Sequence, residues 1–445
     1  MAEPEALVLA ASPARAFDWL LRIAIFLGLG GLAYYSFANE AFRLLFHTAE
    51  SQRWSRLLER PSLLWAAMGT LLIVFRTLLW LRYRPAPPVT RLDAPMLTVI
   101  IPAYNEGAMV AQSIDSVAVA DYPRDRLEIF VVDDGSADDT WLHIQAAAAR
   151  HPGLVTPLKL PENRGKRHAL AEGFRRARGE VLVTIDSDSV IDRGTLLAIA
   201  GPFRDPRVGA VAGKVSVLNR RQGVIPRMLA VRFILSFDLL RAVQSTYGTV
   251  YCCPGALSAW RAELVRELLP AWLGQRFLGA PCTYGEDRAL TNFILALGFD
   301  AVYQRSAVVH TLVPRGYRKL CRMYLRWDRS YVREELRFFR VVWHRPPLAR
   351  AIAFVDTVIT NLRIPVGLAS LVLLSSLVAH HPLVMVRLLV AIGLFAMLNM
   401  LYYLHSERSG DFLYGILYSY FSFFTLFWIF PYAVATARSR RWMTR

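Results

Sequence analysis

The chain has 445 residues, of which 54% are hydrophobic and only 20% are charged. Soluble globular proteins are usually about a quarter charged, so this composition excludes a disordered, collagen-like or coiled-coil protein and favours a membrane protein. Lys and Arg number 52 against 35 Asp and Glu, which gives a formal charge of +17. Such an excess fits nucleic acid, anionic lipid or a phosphate-bearing substrate, and equally the Arg-rich cytoplasmic face of a membrane protein.

Two apolar stretches, 17–37 and 63–82, lie near the N-terminus. Each has about the 20 residues that a bilayer crossing requires. Arg22 and Arg76 fall inside these stretches, and we expect them to snorkel to the interface or to face protein. Residues 1–94 are therefore predicted to be an N-terminal transmembrane region of about two helices.

Residues 95–310 alternate short β-rich runs with helical patterns, which predicts an α/β domain with a mostly parallel sheet. The predicted strands cover 97–104, 127–134, 180–188 and 208–215. Ligands of such sheets bind outside the carboxyl ends of the strands. Asp134 and the pair Asp186 and Asp188 stand at two of those ends, and the pattern predicts that they meet at one crevice.

The rest of the chain returns to membrane-like composition. Residues 311–345 are predicted to form interfacial amphipathic helices, and 346–445 a C-terminal transmembrane region with a basic cytoplasmic tail. The apolar stretches of this last region are 364–380, 383–404 and 411–436.

Arginines in 76–91 and in the tail 438–445 predict that the central domain and the C-terminus are both cytoplasmic. Three full crossings between them would put the tail outside. Either one stretch is re-entrant or interfacial, or the region 346–380 contains an extra short crossing. We expect an even number of crossings.

The acidic strand ends suit a hard divalent cation, which takes one or two carboxylates together with substrate phosphates. Basic residues at a predicted helix start, in 163–170, suit an anionic phosphate. The alternative is that the acids are ordinary turn or N-cap residues and that the bases are simply solvated.

Four motifs follow one another along the domain: Pro102-Ala103-Tyr104-Asn105-Glu106, Asp133-Asp134-Gly135-Ser136, Gly165-Lys166-Arg167 and Asp186-Ser187-Asp188. As an ordered set they resemble the family-2 glycosyltransferases, which have a GT-A fold and use nucleotide-activated sugars. Segments 244–261, 275–292 and 326–334 are similar to hyaluronan synthases, nodulation chitin-oligosaccharide synthases and chitin synthases. The resemblance covers about residues 97–340. It implies a GT-A-like, Rossmann-like cytoplasmic domain inserted between the helices of a multi-pass membrane protein.

The resemblance also implies roles on the donor side. Asp134 would hold the uridine, and Lys166 and Arg167 would face the donor. Asp188 would hold Mg²⁺ or Mn²⁺ at the diphosphate, with Asp186 nearby in the donor site.

On the acceptor side, Asp287 matches the catalytic base, with Glu286 beside it at the acceptor. A carboxylate can take the proton from an attacking sugar hydroxyl, although an acidic helix start alone would also explain both residues. Arg326 would meet the diphosphate and Trp327 would form the floor under an acceptor sugar ring. The family has Gln where this chain has Met323, and the same segment also fits an amphipathic helix on a membrane with Trp327 at the interface.

The resulting expectation is an inverting, metal-dependent β-glycosyltransferase of the inner or plasma membrane. Its partners would be a UDP-sugar, a growing polysaccharide and membrane lipids, and not nucleic acid. The expected donor is UDP-N-acetylglucosamine, with UDP-glucuronate as a possible second donor. The alternatives are transfer of one sugar to a lipid, synthesis of a chitin-type homopolymer, and a non-catalytic secretion or sensor component.

Overall fold

The structure is a computed structural model that describes residues 61–380 and 383–439, with isolated positions between 20 and 34. The predicted crossing at 17–37 therefore lies largely outside the described residues, as do Arg22 and the tail from 440 onwards. Helix α1 (Pro61–Arg82) covers the second predicted crossing. Arg76 faces protein, as expected, because its Nε donates to Asp356 at 2.8 Å and its Nη2 donates to Thr360 at 2.7 Å.

The central domain contains ten strands. They are β1 (Leu97–Ala103), β2 (Leu127–Asp133), β3 (Val155–Lys159), β4 (Val181–Ile185), β5 (Ser189–Ile191), β6 (Val208–Val217), β7 (Leu257–Arg261), β8 (Arg276–Phe277), β9 (Ala280–Pro281) and β10 (Asp300–Thr311). Eight of them form one sheet in the order β3-β2-β1-β4-β7-β6-β10-β5, and β8 pairs with β9.

The sheet is mixed. Strands β3, β2, β1 and β4 are parallel neighbours, and β6 is parallel to β10. Strand β7 runs antiparallel to both β4 and β6, and β5 runs antiparallel to β10. Six strands thus share one direction, which agrees with the predicted mostly parallel sheet, and the carboxyl ends of β1, β2 and β4 lie at one edge.

Apolar side chains cover both faces of the sheet, as is typical of central parallel strands. Every residue of β1 and β2 is buried. Because successive side chains of a strand point to opposite faces, Ile100 packs into one hydrophobic cluster while Val99 and Ile101 pack into another.

Nine helices of the described chain accompany these strands. They are α2 (Met109–Ala118), α3 (Thr140–Arg150), α4 (Lys166–Arg176), α5 (Thr195–Ala200), α6 (Val224–Phe233), α7 (Leu240–Ser245), α8 (Ala262–Leu273), α9 (Glu286–Ala296) and α10 (Tyr317–Val341). A π-helical stretch, Ile234–Leu239, joins α6 to α7.

The C-terminal region consists of α11 (Pro347–His380), α12 (Leu383–Glu407), α13 (Phe412–Thr425) and α14 (Ile429–Ala435). Among the described residues, the segment Pro347–Val372 is long and apolar enough to cross a membrane. Helices α13 and α14 meet the same test only together, and they are bent by 50° where they join.

The far ends of α12 and α14 both contact the central domain. Lys214 of β6 binds Glu407 at 2.6 Å. Beyond α14, the Tyr284 hydroxyl donates to the carbonyl of Ser439 at 2.8 Å. The bent pair α13 and α14 therefore begins and ends beside the domain.

Candidate active site

A cavity of about 1680 Å³ opens at the carboxyl edge of the sheet and continues between α10, α1 and α11. All but one of the predicted site residues line it. They are Asp134, Lys166, Asp186, Asp188, Glu286, Asp287, Arg326 and Trp327. The strand order therefore brings together carboxylates that are separated by up to 153 positions in the sequence (287 − 134).

Asp134 follows β2 and holds the loop that precedes α4. Its two carboxylate oxygens accept hydrogen bonds from the main-chain N–H groups of Arg164 at 3.0 Å and Gly165 at 2.8 Å. Burial raises the pKa of Asp134 above its usual value, and these two donors oppose the rise. The neighbouring Gly135 has φ +69°, and a Cβ there would lie 2.6 Å from the main chain of Glu162, so this close approach requires glycine.

Lys166 joins two carboxylates from different parts of the chain. Its Nζ forms an ion pair with Asp186 at the end of β4 and lies 3.3 Å from Glu286 Oε1 at the start of α9. Burial lowers the pKa of Lys166, but the two carboxylates outweigh burial and raise it. Lys166 is therefore a fixed cation at the N-terminus of α4, a position that favours phosphate.

Asp188 lies on the same side of the cavity as Asp186. Its Oδ1 accepts hydrogen bonds from the Thr311 hydroxyl at 3.1 Å and from the Ser189 hydroxyl at 3.3 Å. Over residues 61–380 and 383–439, no group of three or more His, Cys, Asp or Glu gathers as a ligand set. Two carboxylates beside the helix start that carries Lys166 fit Mg²⁺ or Mn²⁺, which complete their oxygen shell with substrate phosphates and water.

Asp287 is held in place by the main chain. Its Oδ2 accepts from the N–H of Gly255 at 3.1 Å and its Oδ1 from the N–H of Arg288 at 2.7 Å. Burial raises the pKa of Asp287, and the negative charge of Glu286 raises it further. The Cys252 thiol also donates to Asp287 at 3.7 Å. Burial raises the pKa of that thiol to about 12, so the cysteine stays protonated and is no nucleophile.

Helix α9, which carries Asp287, starts in close contact with α10. Gly285 precedes the helix with φ +77°, and a Cβ at this position would collide with the Ser330 side chain. Helix α10 brings Arg326 and Trp327 to the cavity, one turn before Ser330. The contact between Gly285 and Ser330 thus brings the helix start that carries Asp287 against the helix that carries Trp327.

Trp327 belongs to an aromatic cluster. Its ring centroid lies 6.0 Å from Phe233, 6.2 Å from Phe237 and 5.7 Å from Tyr324. Aromatic neighbours at these distances hold the indole ring in one orientation. Met323, which stands where the family has glutamine, also lines the cavity.

Arg167 is the predicted site residue that the structure does not bring to the cavity. Its side chain is only 2% exposed. Its Nη1 donates to the carbonyl of Trp272 at 2.6 Å, and its Nη2 donates to Gln275 at 3.0 Å. Consecutive residues of a helix point about 100° apart, and here Lys166 lines the cavity while Arg167 points to Trp272 and Gln275. The expectation that Arg167 contacts the donor is therefore not supported by its position.

The sequence analysis missed the charged residues at the far end of the cavity. These residues are Arg232, Arg241, Asp328, Glu335 and Asp356. The Arg-Trp motif immediately before Asp328 was a signal that could have drawn attention to it. The others lie on helices whose sequence pattern does not indicate which neighbour they face.

A sequence profile described as "Glycosyltransferase like family 2" matches residues 94–330. The chain belongs to this family. It is 32% identical to an N-acetylglucosaminyltransferase of Azorhizobium caulinodans over 355 residues, covering 79% of this chain and 87% of the relative. It is 29% identical to a hyaluronan synthase of Streptococcus pyogenes over 354 residues, covering 78% of this chain and 83% of that protein. The resemblance found in the motifs is confirmed.

The family fold is confirmed as well. A mannosyltransferase of Pyrobaculum calidifontis, solved in complex with GDP-Man and Mn²⁺, superimposes with a TM-score of 0.58 at 25% identity, covering 81% of this chain and 98% of that chain. The central domain is thus a GT-A-like glycosyltransferase domain, and the protein is a hexosyltransferase.

Proposed function

We propose that the protein is a membrane-embedded, inverting β-glycosyltransferase that polymerises sugar from UDP-N-acetylglucosamine. The observation that carries this proposal is the placement of the half-buried Asp287 in one cavity with Lys166 and the acidic end of β4. The names of the two relatives, one an N-acetylglucosaminyltransferase and one a hyaluronan synthase, support this donor, with UDP-glucuronate as a second candidate.

The donor end of the cavity supplies three contacts of different chemistry. Asp134, fixed by two main-chain N–H groups, would accept hydrogen bonds from the uracil. Lys166 and Arg326 would face the diphosphate. Asp186 and Asp188 would hold Mg²⁺ or Mn²⁺, which supplies positive charge against the departing diphosphate when it is bound.

Asp287 would act as the general base. As the acceptor hydroxyl attacks the anomeric carbon, its proton passes to the Asp287 carboxylate, and the bond from that carbon to the UDP oxygen breaks. A raised pKa makes Asp287 a stronger base than an ordinary aspartate, and its two N–H donors keep it oriented. A single displacement inverts an α-linked donor into a β-linked product.

The far part of the cavity supports passage of the product. It continues past Trp327 to Arg76 on α1 and to Asp356, Thr360 and Ile364 on α11. Both helices correspond to apolar stretches of the sequence, and Pro347–Val372 meets the requirements for a membrane span. A polymer leaving Asp287 in this direction would enter the space between these helices.

The helix ends support an even number of C-terminal crossings. Helix α12 ends at Glu407, which binds Lys214 of the central domain. The bent pair α13 and α14 begins and ends at the same side, since Ser439 reaches Tyr284. In this proposal α11 and α12 cross the membrane, α13 and α14 form a re-entrant segment, and the central domain and the tail are cytoplasmic.

A second candidate is transfer of a single sugar to a lipid acceptor. Met323 favours it, because a thioether beside Arg326 and Trp327 lacks the hydrogen-bonding amide of the family glutamine. The length of the product separates the two functions: a ladder of oligomers or a long polymer supports polymerisation, and one added sugar supports single transfer.

The test is UDP release by the purified full chain in lipid nanodiscs with Mn²⁺ or Mg²⁺. UDP-N-acetylglucosamine, UDP-glucuronate and UDP-glucose are supplied singly and in pairs. We expect release with UDP-N-acetylglucosamine alone, and its loss in Asp287→Asn. Strong stimulation by adding UDP-glucuronate would indicate an alternating heteropolymer, and no release with any donor would contradict the proposal.

A further inference from the structure

Asp328 is a carboxylate of the cavity that neither the motifs nor the proposed chemistry uses. It follows Trp327 on α10 and is half-buried, and it lines the cavity. Its carboxylate makes no hydrogen bond or ion pair with the part of the chain that the structure describes. A partly desolvated carboxylate without a hydrogen-bond donor is costly, so its hydrogen-bonding capacity is available to a ligand in the cavity.

The charges around Asp328 keep it ionised near neutral pH. Burial raises the pKa of Asp328 to about 6, and the guanidinium groups of Arg232 and Arg288 oppose this rise. Arg232 also interacts with the hydroxyl of Tyr418. Arg288 lies 3.6 Å from Glu335 and 5.0 Å from the centre of the Tyr331 ring. Both arginines thus have partners besides Asp328.

Farther along the cavity, a carboxylate neutralises one arginine and not another. Arg76 pairs with Asp356 at 2.8 Å, and the Asp356 side chain is only 1% exposed. Arg241 differs, because its guanidinium donates to the Gln244 amide oxygen at 3.1 Å and has no carboxylate within ion-pair distance among the described residues. Along the chain, Trp327 stands between Arg326, which the proposed function assigns to the diphosphate, and the carboxylate of Asp328.

We propose that Asp328 is a specificity-determining residue that selects an uncharged sugar at the acceptor end of the cavity. Its carboxylate accepts hydrogen bonds from hydroxyl or amide groups of the ring stacked on Trp327, and it repels a sugar that carries a carboxylate. This inference rests on the proposed function and narrows it: the acceptor terminus is a neutral N-acetylhexosamine, and a uronic acid is disfavoured at this position.

The physical basis is the asymmetry between the two kinds of ligand. A neutral sugar offers several O–H and N–H donors to a carboxylate acceptor, and hydrogen bonds to charged groups are stronger than neutral ones. A uronate brings a second negative charge into a partly desolvated site, and such like-charge contacts strongly disfavour the wrong partner. Specificity here is the difference between the binding free energies of the neutral sugar and of the uronate.

The experiment compares two labelled disaccharide acceptors that differ only in the terminal sugar, one neutral and one with a carboxylate at C6. Transfer from saturating UDP-N-acetylglucosamine is measured for wild type and for Asp328→Asn, which keeps the shape of the side chain and removes its charge. In wild type we expect the KM of the neutral acceptor to be lower than that of the uronate acceptor by about tenfold or more. In Asp328→Asn the ratio of the two KM values should fall to about threefold or less, chiefly through the uronate acceptor.

Two controls separate specificity from damage. Asp328→Glu keeps the charge and should keep the preference for the neutral acceptor. The Kd for UDP, measured by calorimetry, should stay the same in all three proteins, because Asp328 is not among the residues that the proposed function assigns to the donor.

Three results would overturn the inference: an unchanged KM ratio in Asp328→Asn, a wild-type preference for the uronate acceptor, or UDP release without transfer to either acceptor. A preference for uronate would mean that the arginines around Asp328, Arg232 and Arg288, dominate this region. Failure of the proposed function looks different, since wild type would then release no UDP from any donor.

Discussion

The two halves of the cavity are built in different ways. The proposed donor half comes from strand ends and a helix start, and main-chain N–H groups hold its carboxylate Asp134, as they hold Asp287 where the two halves meet. The acceptor half comes from the sides of helices, where arginine and carboxylate side chains meet across long sequence separations, as Arg76 and Asp356 do. Main-chain positioning follows from strand order, whereas side-chain pairing depends on how the helices pack.

The largest effect is expected at Asp287. Asp287→Asn removes the proposed general base while keeping the shape of its side chain, and such a loss costs roughly 10² to 10⁴ in kcat. The Kd for UDP should remain within about twofold because the donor contacts are intact. Steady-state UDP release and calorimetry measure the two quantities.

The matched control is Glu263→Gln, which neutralises an exposed carboxylate (70% exposed) on α8. It should leave kcat unchanged. An Asp287→Asn enzyme with wild-type kcat would assign the base to another residue.

The second-largest effect is a loss of stability, expected when the ion pair between Arg76 and Asp356 is broken. Asp356→Leu leaves the Arg76 guanidinium without its partner, and breaking a buried pair in this way costs about 3–5 kcal/mol. Combining it with Arg76→Met should recover most of that loss, since two apolar side chains replace a pair of charges. Thermal unfolding of the purified protein in detergent measures both variants.

An exposed pair provides the comparison. Arg207 and Asp205 are 77% and 39% exposed, and Asp205→Asn should change stability by less than about 1 kcal/mol. If Asp205→Asn and Asp356→Leu lowered stability equally, the pair of Arg76 and Asp356 would not be buried.

A third, smaller effect tests the donor half. Gly135→Ala places a Cβ 2.6 Å from the main chain of Glu162, which must move the loop that Asp134 holds. We expect the Kd for UDP to rise by about tenfold, because a shift of this loop misaligns the donor contacts. Gly153→Ala is the control, since Gly153 has a similar φ of +76° with nothing within 4 Å of its Cβ position. A similar rise in both variants would attribute the effect to backbone strain rather than to the contact.

The smallest effect on donor binding is expected from a substitution at Arg167. Arg167→Lys should lower the unfolding temperature, because lysine cannot reproduce the two-pronged contact with Trp272 and Gln275. The Kd for UDP should change by less than about twofold, since this side chain points away from the cavity. Lys166→Met should weaken UDP binding clearly. If both variants weakened UDP binding equally, Arg167 would belong to the donor site.

These contrasts explain what sequence could predict. The strands ending at Asp134 and Asp186 were readable because a buried strand is a run of apolar residues and its end is marked by polar ones. The order of motifs then identified the family. Arg167 lies outside the cavity because residues that are adjacent in a motif point to different sides of a helix, which the motif alone does not reveal.

Other features depend on tertiary packing and produce no recognisable pattern in the sequence. Strand β7 enters the sheet antiparallel between β4 and β6, and it is too short to be recognised by alternation. The contact from Arg76 to Asp356 joins residues 280 positions apart. The predicted domain boundaries at 94, 310 and 345 stay predictions.

The contact between Gly285 and Ser330 has a consequence for how this protein can change during evolution. Position 285 has no room for a side chain while Ser330 faces it, and its positive φ would still penalise most residues if Ser330 became smaller. The two positions therefore constrain each other as one steric unit. A library of variants aimed at new sugar acceptors should hold this pair constant and diversify the cavity-lining positions around it.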